Sequence, residues 1–196
     1  MRLLDYLYKH WAPMCLPMAF LSLIILGTYF NRFSLIEFLI WLQVPIYLIH
    51  QFEEHACPGG FKDFVNKVIF KQEKDIPLDD RSIFWINIPV VWLGFPIFAA
   101  VSSFWINGGI WIIYVSLING TIHIIGALRF LRYNPGLAAS VFLNLPLSIY
   151  TLVKLPQLAT ISPLTHIISV IIAIAIHITI VGYAIIRFKK NQRTDS

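Results

Sequence analysis

Long apolar runs, separated by short polar or proline-containing stretches, dominate the chain. Most runs have about 20 residues, the length that a helix needs to cross the hydrocarbon core of a bilayer. They lack the alternation of apolar and polar residues of a membrane barrel and are too long for its tilted strands. The pattern predicts an all-α, polytopic membrane protein with six transmembrane helices, at residues 12–30, 34–56, 83–104, 107–130, 137–155 and 163–187.

The connection at residues 57–82 is longer than the others and has its own pattern. Phe61, Phe64, Val65 and Val68 recur at helical spacing, with lysines among their polar neighbours. This pattern predicts a short amphipathic helix that lies on the cytoplasmic leaflet. We expect residues 1–196 to form a single membrane-embedded helical domain.

Composition supports this class. Of 196 residues, 58% are hydrophobic and 13% are charged, and the mean hydropathy is +0.73. A soluble domain has about 25% charged residues. An aromatic content of 15% and only two cysteines exclude a disordered chain and a disulfide scaffold. A soluble globular protein is excluded as well.

The distribution of the fifteen Lys and Arg residues predicts the orientation. With six spans, only Arg32 and Lys154 fall on one side, and the other side, which should be cytoplasmic, carries thirteen. These are Arg2, Lys9, Lys62, Lys67, Lys71, Lys74, Arg81, Arg129, Arg132, Arg187, Lys189, Lys190 and Arg193. We expect a multi-pass membrane protein with both termini in the cytoplasm. The net charge of +5 then reflects the orientation of the protein in the membrane and its attraction to anionic lipid headgroups. No nucleic-acid partner is expected.

Ionisable residues inside these spans are few, and each costs about 2.5–3.5 kcal/mol at the middle of a helix on insertion scales. The densest group is His50–His55, at the end of the second span. Because positions i, i+3 and i+4 share a helix face, His50, Glu53 and Glu54 point the same way. The spacing differs from the HExxH and HxxEH patterns of zinc proteases, so neither of those sites is predicted.

Two other spans carry histidines that can meet this group. Asn119 and His123 share a face of the fourth span, and His177 lies in the sixth. At ~1.5 Å per residue, His50 lies about 10 Å inside Cys57, His123 about 10 Å inside Phe130 and His177 about 13 Å inside Ile186. The three histidines therefore lie at nearly equal depth in the cytoplasmic leaflet, which favours a shared site.

Three short motifs in this region resemble those of the bacterial HXXEE family of integral membrane proteins. HxxEE is present as His50, Glu53 and Glu54, NxxxH as Asn119 and His123, and YxPG as Tyr133, Pro135 and Gly136. The motifs are complete, in order, and cover residues 50–136. The resemblance implies a protein of a bacterial inner membrane with unassigned activity. It also supports the choice of residues, with the exception of His177, which rests on depth alone.

The residues themselves suggest a metal centre. Imidazole and carboxylate ligands suit Zn, Fe or Mn, and a divalent cation would offset the cost of burying them. We predict a mononuclear site with His50, Glu54 and His123 as ligands and His177 as a possible fourth. Glu53 would be a ligand or general base, and Asn119 would orient His123, a substrate oxygen or a bound water.

The turn after the fourth span adds a candidate substrate site. Tyr133 follows Arg129 and Arg132, and Pro135 and Gly136 end the helix. The purely structural interpretation is a turn whose arginines are those expected on the cytoplasmic side of a membrane protein. The functional one is that Arg129 and Tyr133 bind a phosphate or another lipid headgroup.

Three functions remain open from sequence. The first is a membrane-embedded metalloenzyme that activates water or oxygen for attack on a lipid or hydrophobic small molecule at the cytoplasmic leaflet; hydrolysis, hydroxylation and isomerisation are not distinguished. The second is a metal-ion or proton transporter. The third is a non-catalytic membrane partner or scaffold, in which the polar cluster only fixes helix packing. Two residue-level alternatives are separate from these functions: Glu53, Glu54 and His55 form the solvated end of a long helix, and His166 forms a hydrogen bond between helices. The oligomeric state is left open.

Overall fold

A computed structural model of the protein describes residues 3–194, so Arg2 lies outside the described residues. All regular structure in this range is helical, without strands, which confirms the all-α class. The helices are α1 (Leu3–His10), α2 (Cys15–Thr28), α3 (Leu35–His55), α4 (Phe61–Asp63, continued by the π turn Phe64–Ile69), α5 (Asp80–Ser102), α6 (Ile110–Phe130), α7 (Leu137–Leu158) and α8 (Pro163–Thr194).

Five helices of the described range are long and apolar enough to cross a membrane, namely α3, α5, α6 with its preceding turn, α7 and α8. Helix α1 and the segment Ala12–Thr28 satisfy the same criteria only together, and they are bent by 57°. Pro13 lies in the short 3₁₀ turn at this bend, where a proline cannot donate a helical hydrogen bond. The described residues therefore contain five candidate spans by length and composition, and a sixth only if this bent pair counts as one span.

Helix α3 is the centre of the bundle. Within its most apolar window 56% of residues are buried, against 17% for α8 at the periphery. Helices α2, α5, α6 and α7 all pack against α3, whereas α8 packs mainly on α6. Ser34 and Glu37 form a capping box that starts α3. The polar side chains of Gln43, His50 and Glu54 on this helix are buried in the bundle.

Helices α6 and α7 approach closely at a glycine. A Cβ atom added to Gly120 would lie 2.9 Å from Cγ of Leu145 on α7. Small residues are the usual means by which membrane helices come into backbone contact. The approach brings the start of α7, with its π turn Ser140–Asn144, against the polar face of α3.

The connection after α3 is folded against the bundle. Asn66 is buried and holds the backbone of Leu78 by two hydrogen bonds, of 2.7 and 2.9 Å. Phe64 and Val65 are also buried. A short helix thus occupies the predicted place, Phe61–Ile69, while its position on the membrane surface stays a prediction.

One minor expectation is confirmed: His166 of α8 forms a hydrogen bond with the Tyr114 hydroxyl of α6, at 2.9 Å from Nδ1. It is a contact between two helices and lies apart from the other histidines.

Candidate metal centre

Three buried ligand side chains meet between α3 and α6. His50 and Glu54 are one turn apart on α3, with 3.5 Å between Nε2 and Oε2. His123 of α6 places its Nε2 atom 3.6 Å from Oε1 of the same carboxylate. One ligand atom from each residue lies within 4.8 Å of the other two. The structure therefore brings together His50, Glu54 and His123, the three residues predicted as metal ligands.

The second nitrogen of His123 is held by Asn134. Nδ1 lies 2.6 Å from Oδ1 of Asn134, and Nδ2 of Asn134 donates to the backbone oxygen of His123 at 2.8 Å. The second bond fixes which end of the amide faces the ring, so Oδ1 accepts a hydrogen bond from Nδ1–H. His123 then carries its proton on Nδ1 and directs the Nε2 lone pair towards Glu54.

His50 is held in a similar way from α7. Its Nδ1 atom lies 3.4 Å from Oγ of Ser140, whose hydroxyl donates to the backbone oxygen of Gly136 at 2.7 Å. Because that proton is engaged, the Ser140 oxygen is free to accept a hydrogen bond from Nδ1–H of His50. The His50 Nε2 lone pair then faces the centre, where the Nδ2 amide of Asn119 lies at 2.9 Å.

Gly136 lies directly against both imidazole rings. A Cβ atom at this position would be 2.8 Å from Cε1 of His50 and 2.8 Å from Cε1 of His123. Its φ angle of +95° also lies in the left-handed region, which L side chains rarely adopt. The glycine is thus required both by the turn and by the close approach of the turn to the site.

Glu53 faces the same turn and not the three ligands. Its Oε1 atom accepts hydrogen bonds from the Tyr133 hydroxyl at 2.6 Å and from the Ala138 amide at 2.9 Å, and Oε2 accepts from the Ala139 amide at 2.6 Å. Burial, and then this hydrogen bond to Glu53, raise the pKa of Tyr133, so its hydroxyl remains a donor. The carboxylate anchors the start of α7, and the predicted role of Glu53 as a ligand or base stays a prediction.

A second layer of polar groups surrounds Glu54. His55 places Nε2 3.2 Å from Oε2 of Glu54 and 3.3 Å from Nδ2 of Asn87 on α5. Asn87 in turn accepts a hydrogen bond from Gln51 at 2.6 Å. The interpretation of these residues as a solvated helix end is wrong for Glu53 and Glu54, which are 9% and 7% exposed.

The remaining predicted residues are less closely connected. His177 lies outside the three-ligand cluster, and its Nδ1 atom is 2.7 Å from the backbone oxygen of Ala173 on its own helix. Arg129 is exposed, with its guanidinium 5.9 Å from the centre of the Phe130 ring. The roles of His177 as a ligand, of Asn119 in catalysis, and of Arg129 and Tyr133 in substrate binding stay predictions.

A largely apolar cavity of about 480 Å³ opens onto the centre. Its polar lining includes Glu54, Asn119 and His123, and His177 of α8 also lines it. The other lining residues are mostly aliphatic or aromatic. A hydrophobic molecule can therefore be accommodated beside the three ligands.

Sequence reasoning missed the residues that orient the ligands. Asn134 lies between the Tyr and the Pro of the YxPG motif, and Ser140 lies four residues after its Gly. An amide directly after a helix and before Pro-Gly is usually assigned to the turn itself. The chain reverses at Gly136, and this turn brings Asn134 against His123 and Ser140 against His50.

The family model for proteins of unknown function with an HXXEE motif matches residues 41–151, more than half of the chain. The chain belongs to the HXXEE family. The matched region of this HXXEE protein begins in α3 and ends in α7, and so contains His50, Glu54, His123 and the turn that orients them. Comparison with curated proteins and with solved structures gives no match.

Proposed function

We propose that this HXXEE protein is a membrane-embedded metalloenzyme that holds one divalent ion at His50, Glu54 and His123. The observation that carries the proposal is the orientation of the two histidines. Each has its Nδ1–H directed to a fixed acceptor, and each presents Nε2 to the same buried carboxylate. Hydrogen-bonded outer nitrogens of this kind are typical of metal-binding histidines.

The spacing of the ligand atoms agrees with a small divalent ion. Bonds of about 2.0–2.2 Å from zinc to nitrogen or oxygen place neighbouring tetrahedral ligands about 3.3–3.6 Å apart. Here Nε2 of His50 lies 3.5 Å from Oε2 of Glu54 and Nε2 of His123 lies 3.6 Å from Oε1, and one ligand atom from each residue lies within 4.8 Å of the other two. The Nε2 lone pair of His123 and the Glu54 carboxylate repel one another, and a cation between them turns this repulsion into attraction, whereas the lone pair of His50 accepts a hydrogen bond from Nδ2 of Asn119. Nitrogen and oxygen ligands suit Zn, Fe or Mn.

Three protein ligands leave a coordination position for a small molecule, as in catalytic zinc sites. When bound, the ion would supply Lewis acidity for the reaction. The Asn119 amide, which in the structure contacts Nε2 of His50, would turn to a water or substrate oxygen. His177, across the cavity, is our candidate for a fourth ligand. Glu53 positions the start of α7, and with it Ser140 against His50.

The substrate is proposed to be a lipid or another hydrophobic small molecule. The cavity beside the ligands is mostly apolar, and its walls belong to span-length helices and to the 57–82 connection. The centre lies near the C-terminal ends of α3 and α6. Arg129 lies in the last turn of α6, and the lysines of the 57–82 connection follow α3. The excess of cations at this end favours the cytoplasmic face of a bacterial inner membrane. If the bent pair of α1 and α2 crosses, both termini lie in the cytoplasm.

Metal analysis of detergent-purified protein, after dialysis against Zn²⁺, Fe²⁺ or Mn²⁺, tests the proposal. We expect about one ion per chain, and at least tenfold weaker binding in His50→Ala, Glu54→Gln and His123→Ala. His166→Ala is the matched control, since it removes a histidine whose contact is with Tyr114. Equal metal content in all five proteins, or folded wild-type protein that binds none of the three ions, would refute a metal centre here.

One observation favours transport as a second candidate. Buried polar side chains continue from the site into the bundle along α3, α6 and α7, namely Gln43, Ser116, Asn144 and Ser148, all 0% exposed. Such groups at successive depths are typical of ion or proton paths. Proteoliposomes with a pH-sensitive or metal-sensitive dye inside would separate the two functions. Flux in wild type that is lost in Asn144→Leu would favour transport over catalysis.

A further inference from the structure

A groove of about 860 Å³ runs between α5 and α8, outside the cavity of the metal centre. Helix α8 packs mainly on α6, which leaves the space towards α5 open. The two helices are joined at one end, where Arg187 forms an ion pair with Asp79 at 2.5 Å and a hydrogen bond to Ser82 at 3.3 Å. The groove therefore has a polar end and, further along both helices, a wide opening towards the surrounding bilayer.

The polar end carries an available positive charge. Asp79 is paired with Arg187, and Asp80 is paired with Lys62 at 2.9 Å. Arg81 directly follows these two acidic residues, is exposed, and makes no ion pair within residues 3–194; its guanidinium lies 6.0 Å from the centre of the Tyr8 ring. With both neighbouring carboxylates already paired, the end of the groove presents a cation suited to a phosphate group.

The groove is charged at one end and aliphatic along its deeper walls, which matches the headgroup and the acyl chain of a phospholipid. Trp85 and Tyr183, 54% and 42% exposed, follow the charged end, and such aromatic side chains prefer the headgroup level of a membrane. The deeper walls are aliphatic and include Val90 and Ile172. From Arg187 to Ile172 the wall is about 22 Å long at ~1.5 Å per residue. An acyl chain fits this wall, and its headgroup fits the end at Arg81.

The groove also borders the cavity of the metal centre. Four aliphatic side chains line both spaces, and they are Ile86, Val90, Ile176 and Ile180. Only side chains therefore separate an acyl chain in the groove from the cavity that contains Glu54 and His123. Aliphatic rotamers exchange readily, so these four residues form a flexible partition.

We propose that the groove binds one phospholipid with an anionic headgroup at Arg81, and that its acyl chain reaches the metal-site cavity across this partition. Binding in the groove is independent of the metal. The use of the groove as the route by which substrate reaches the site rests on the proposed function above.

Photolabelling with a phosphatidylglycerol that carries a diazirine on its acyl chain tests the proposal in liposomes. We expect labelling at the partition and at cavity residues such as Val115, at least fivefold above that of lipid-facing Ile171. Ala175→Trp, a change at an exposed groove residue, should reduce this labelling at least fivefold. Ile178→Trp is the control, because Ile178 is 66% exposed and lines neither space. Equal labelling in both variants, or uniform labelling along α8, would overturn the proposal.

The headgroup is tested by a change that leaves the groove open. Arg81→Gln should lower the preference for phosphatidylglycerol over phosphatidylcholine about fivefold, the effect of one basic residue at a membrane surface. Excess inorganic phosphate should not compete, since the acyl chain supplies much of the affinity. Equal labelling by the two lipids in wild type, or competition by phosphate alone, would contradict an anionic lipid site.

His50→Ala distinguishes a failure of this inference from a failure of the metal centre. We expect this variant to be labelled as wild type. If labelling persists while neither wild type nor the variant binds metal, lipid binding in the groove is supported and the proposed function is refuted. If metal binds and the groove is not labelled, the inference fails alone.

Discussion

Gly136 is the residue at which the site tolerates least change. Gly136→Ala places a methyl group 2.8 Å from both imidazoles and adds left-handed strain, which costs about 1–2 kcal/mol by itself. We expect a lower melting temperature and at least tenfold weaker metal binding. The measurements are thermal unfolding in detergent and equilibrium dialysis.

Two other glycines provide controls for Gly136→Ala. Gly60 has a similar φ of +92°, but a Cβ there would be 3.9 Å from the nearest atom, so Gly60→Ala should lower stability and leave metal affinity unchanged. Gly182 has open space around it, so Gly182→Ala should change neither property by more than a small amount. Equal metal binding in all three variants would show that contact at Gly136 does not position the histidines.

Asn134 and Asn144 form a second matched pair at the residue scale. Both are buried, but Asn134 makes two hydrogen bonds to His123, whereas neither polar atom of the Asn144 side chain has a partner within the described part of the chain. Asn134→Leu should weaken metal binding about 10–100-fold, the usual effect of removing a residue that orients a ligand.

Asn144→Leu should keep the metal affinity and raise the stability by about 1 kcal/mol, because burying an unpaired amide costs about 1–3 kcal/mol. Titration with Zn²⁺ and thermal unfolding of both variants measure these effects. A loss of metal in Asn144→Leu equal to that in Asn134→Leu would mean that the affinity depends on general packing.

At the scale of elements, Glu53 links the end of α3 to the start of α7. Its carboxylate accepts three hydrogen bonds there, two of them from backbone amides. Glu53→Gln weakens these charge-assisted bonds, each worth about 1.5–3 kcal/mol. We expect a melting temperature several degrees lower with the metal retained, and a smaller decrease in Tyr133→Phe. Complete loss of metal in a folded Glu53→Gln protein would instead support Glu53 as a ligand.

The Asp79–Arg187 pair joins α5 to α8 and predicts a pH dependence. Burial acts to raise the pKa of Asp79, but hydrogen bonds from Arg187 and Ser82 outweigh it and lower the pKa from 3.8 to about 2. A lowered pKa in the folded state gives stability that is present above pH 3.8 and lost as the pH falls towards 2.

Asp79→Asn keeps a residue that can cap α5 and removes the charge. We expect this variant to be less stable than wild type at pH 7, with a difference that shrinks between pH 4 and pH 2. Thermal unfolding across this range measures it, with Lys67→Gln as a control for an exposed i,i+4 pair. A constant difference would show that the pair contributes nothing to the contact between α5 and α8.

At the scale of the whole molecule, the all-α class and the grouping of the three candidate ligands follow from sequence for different reasons. Hydrophobic length predicts the five helices of the described range that are long and apolar enough to cross a membrane, and the sixth predicted span corresponds to the bent pair of α1 and α2. The i,i+4 spacing places His50 and Glu54 on one face, and equal depth adds His123. The hydrogen-bond partners of Glu53 and the contact of Asn134 with His123 depend on the chain reversal at Gly136. Helical periodicity in the sequence does not predict the path of this turn.

Metal binding is expected to stabilise the assembly as a unit, because its ligands come from two helices and their orientation from a third. An ion at 100 times its dissociation constant adds about 2.7 kcal/mol to the free energy of unfolding, if it binds only the folded state. For a chain of this size that corresponds to a melting temperature about 5–10 °C higher.

Thermal unfolding of wild type with Zn²⁺ and with a chelator measures this shift. Glu54→Gln should abolish it, whereas His166→Ala should retain it, since His166 joins α6 and α8 through Tyr114 and lies outside the ligand set. If Glu54→Gln is stabilised as strongly as wild type, Zn²⁺ acts elsewhere on the chain. A shift lost in Glu54→Gln and kept in His166→Ala assigns the stabilisation to the junction of α3, α6 and α7.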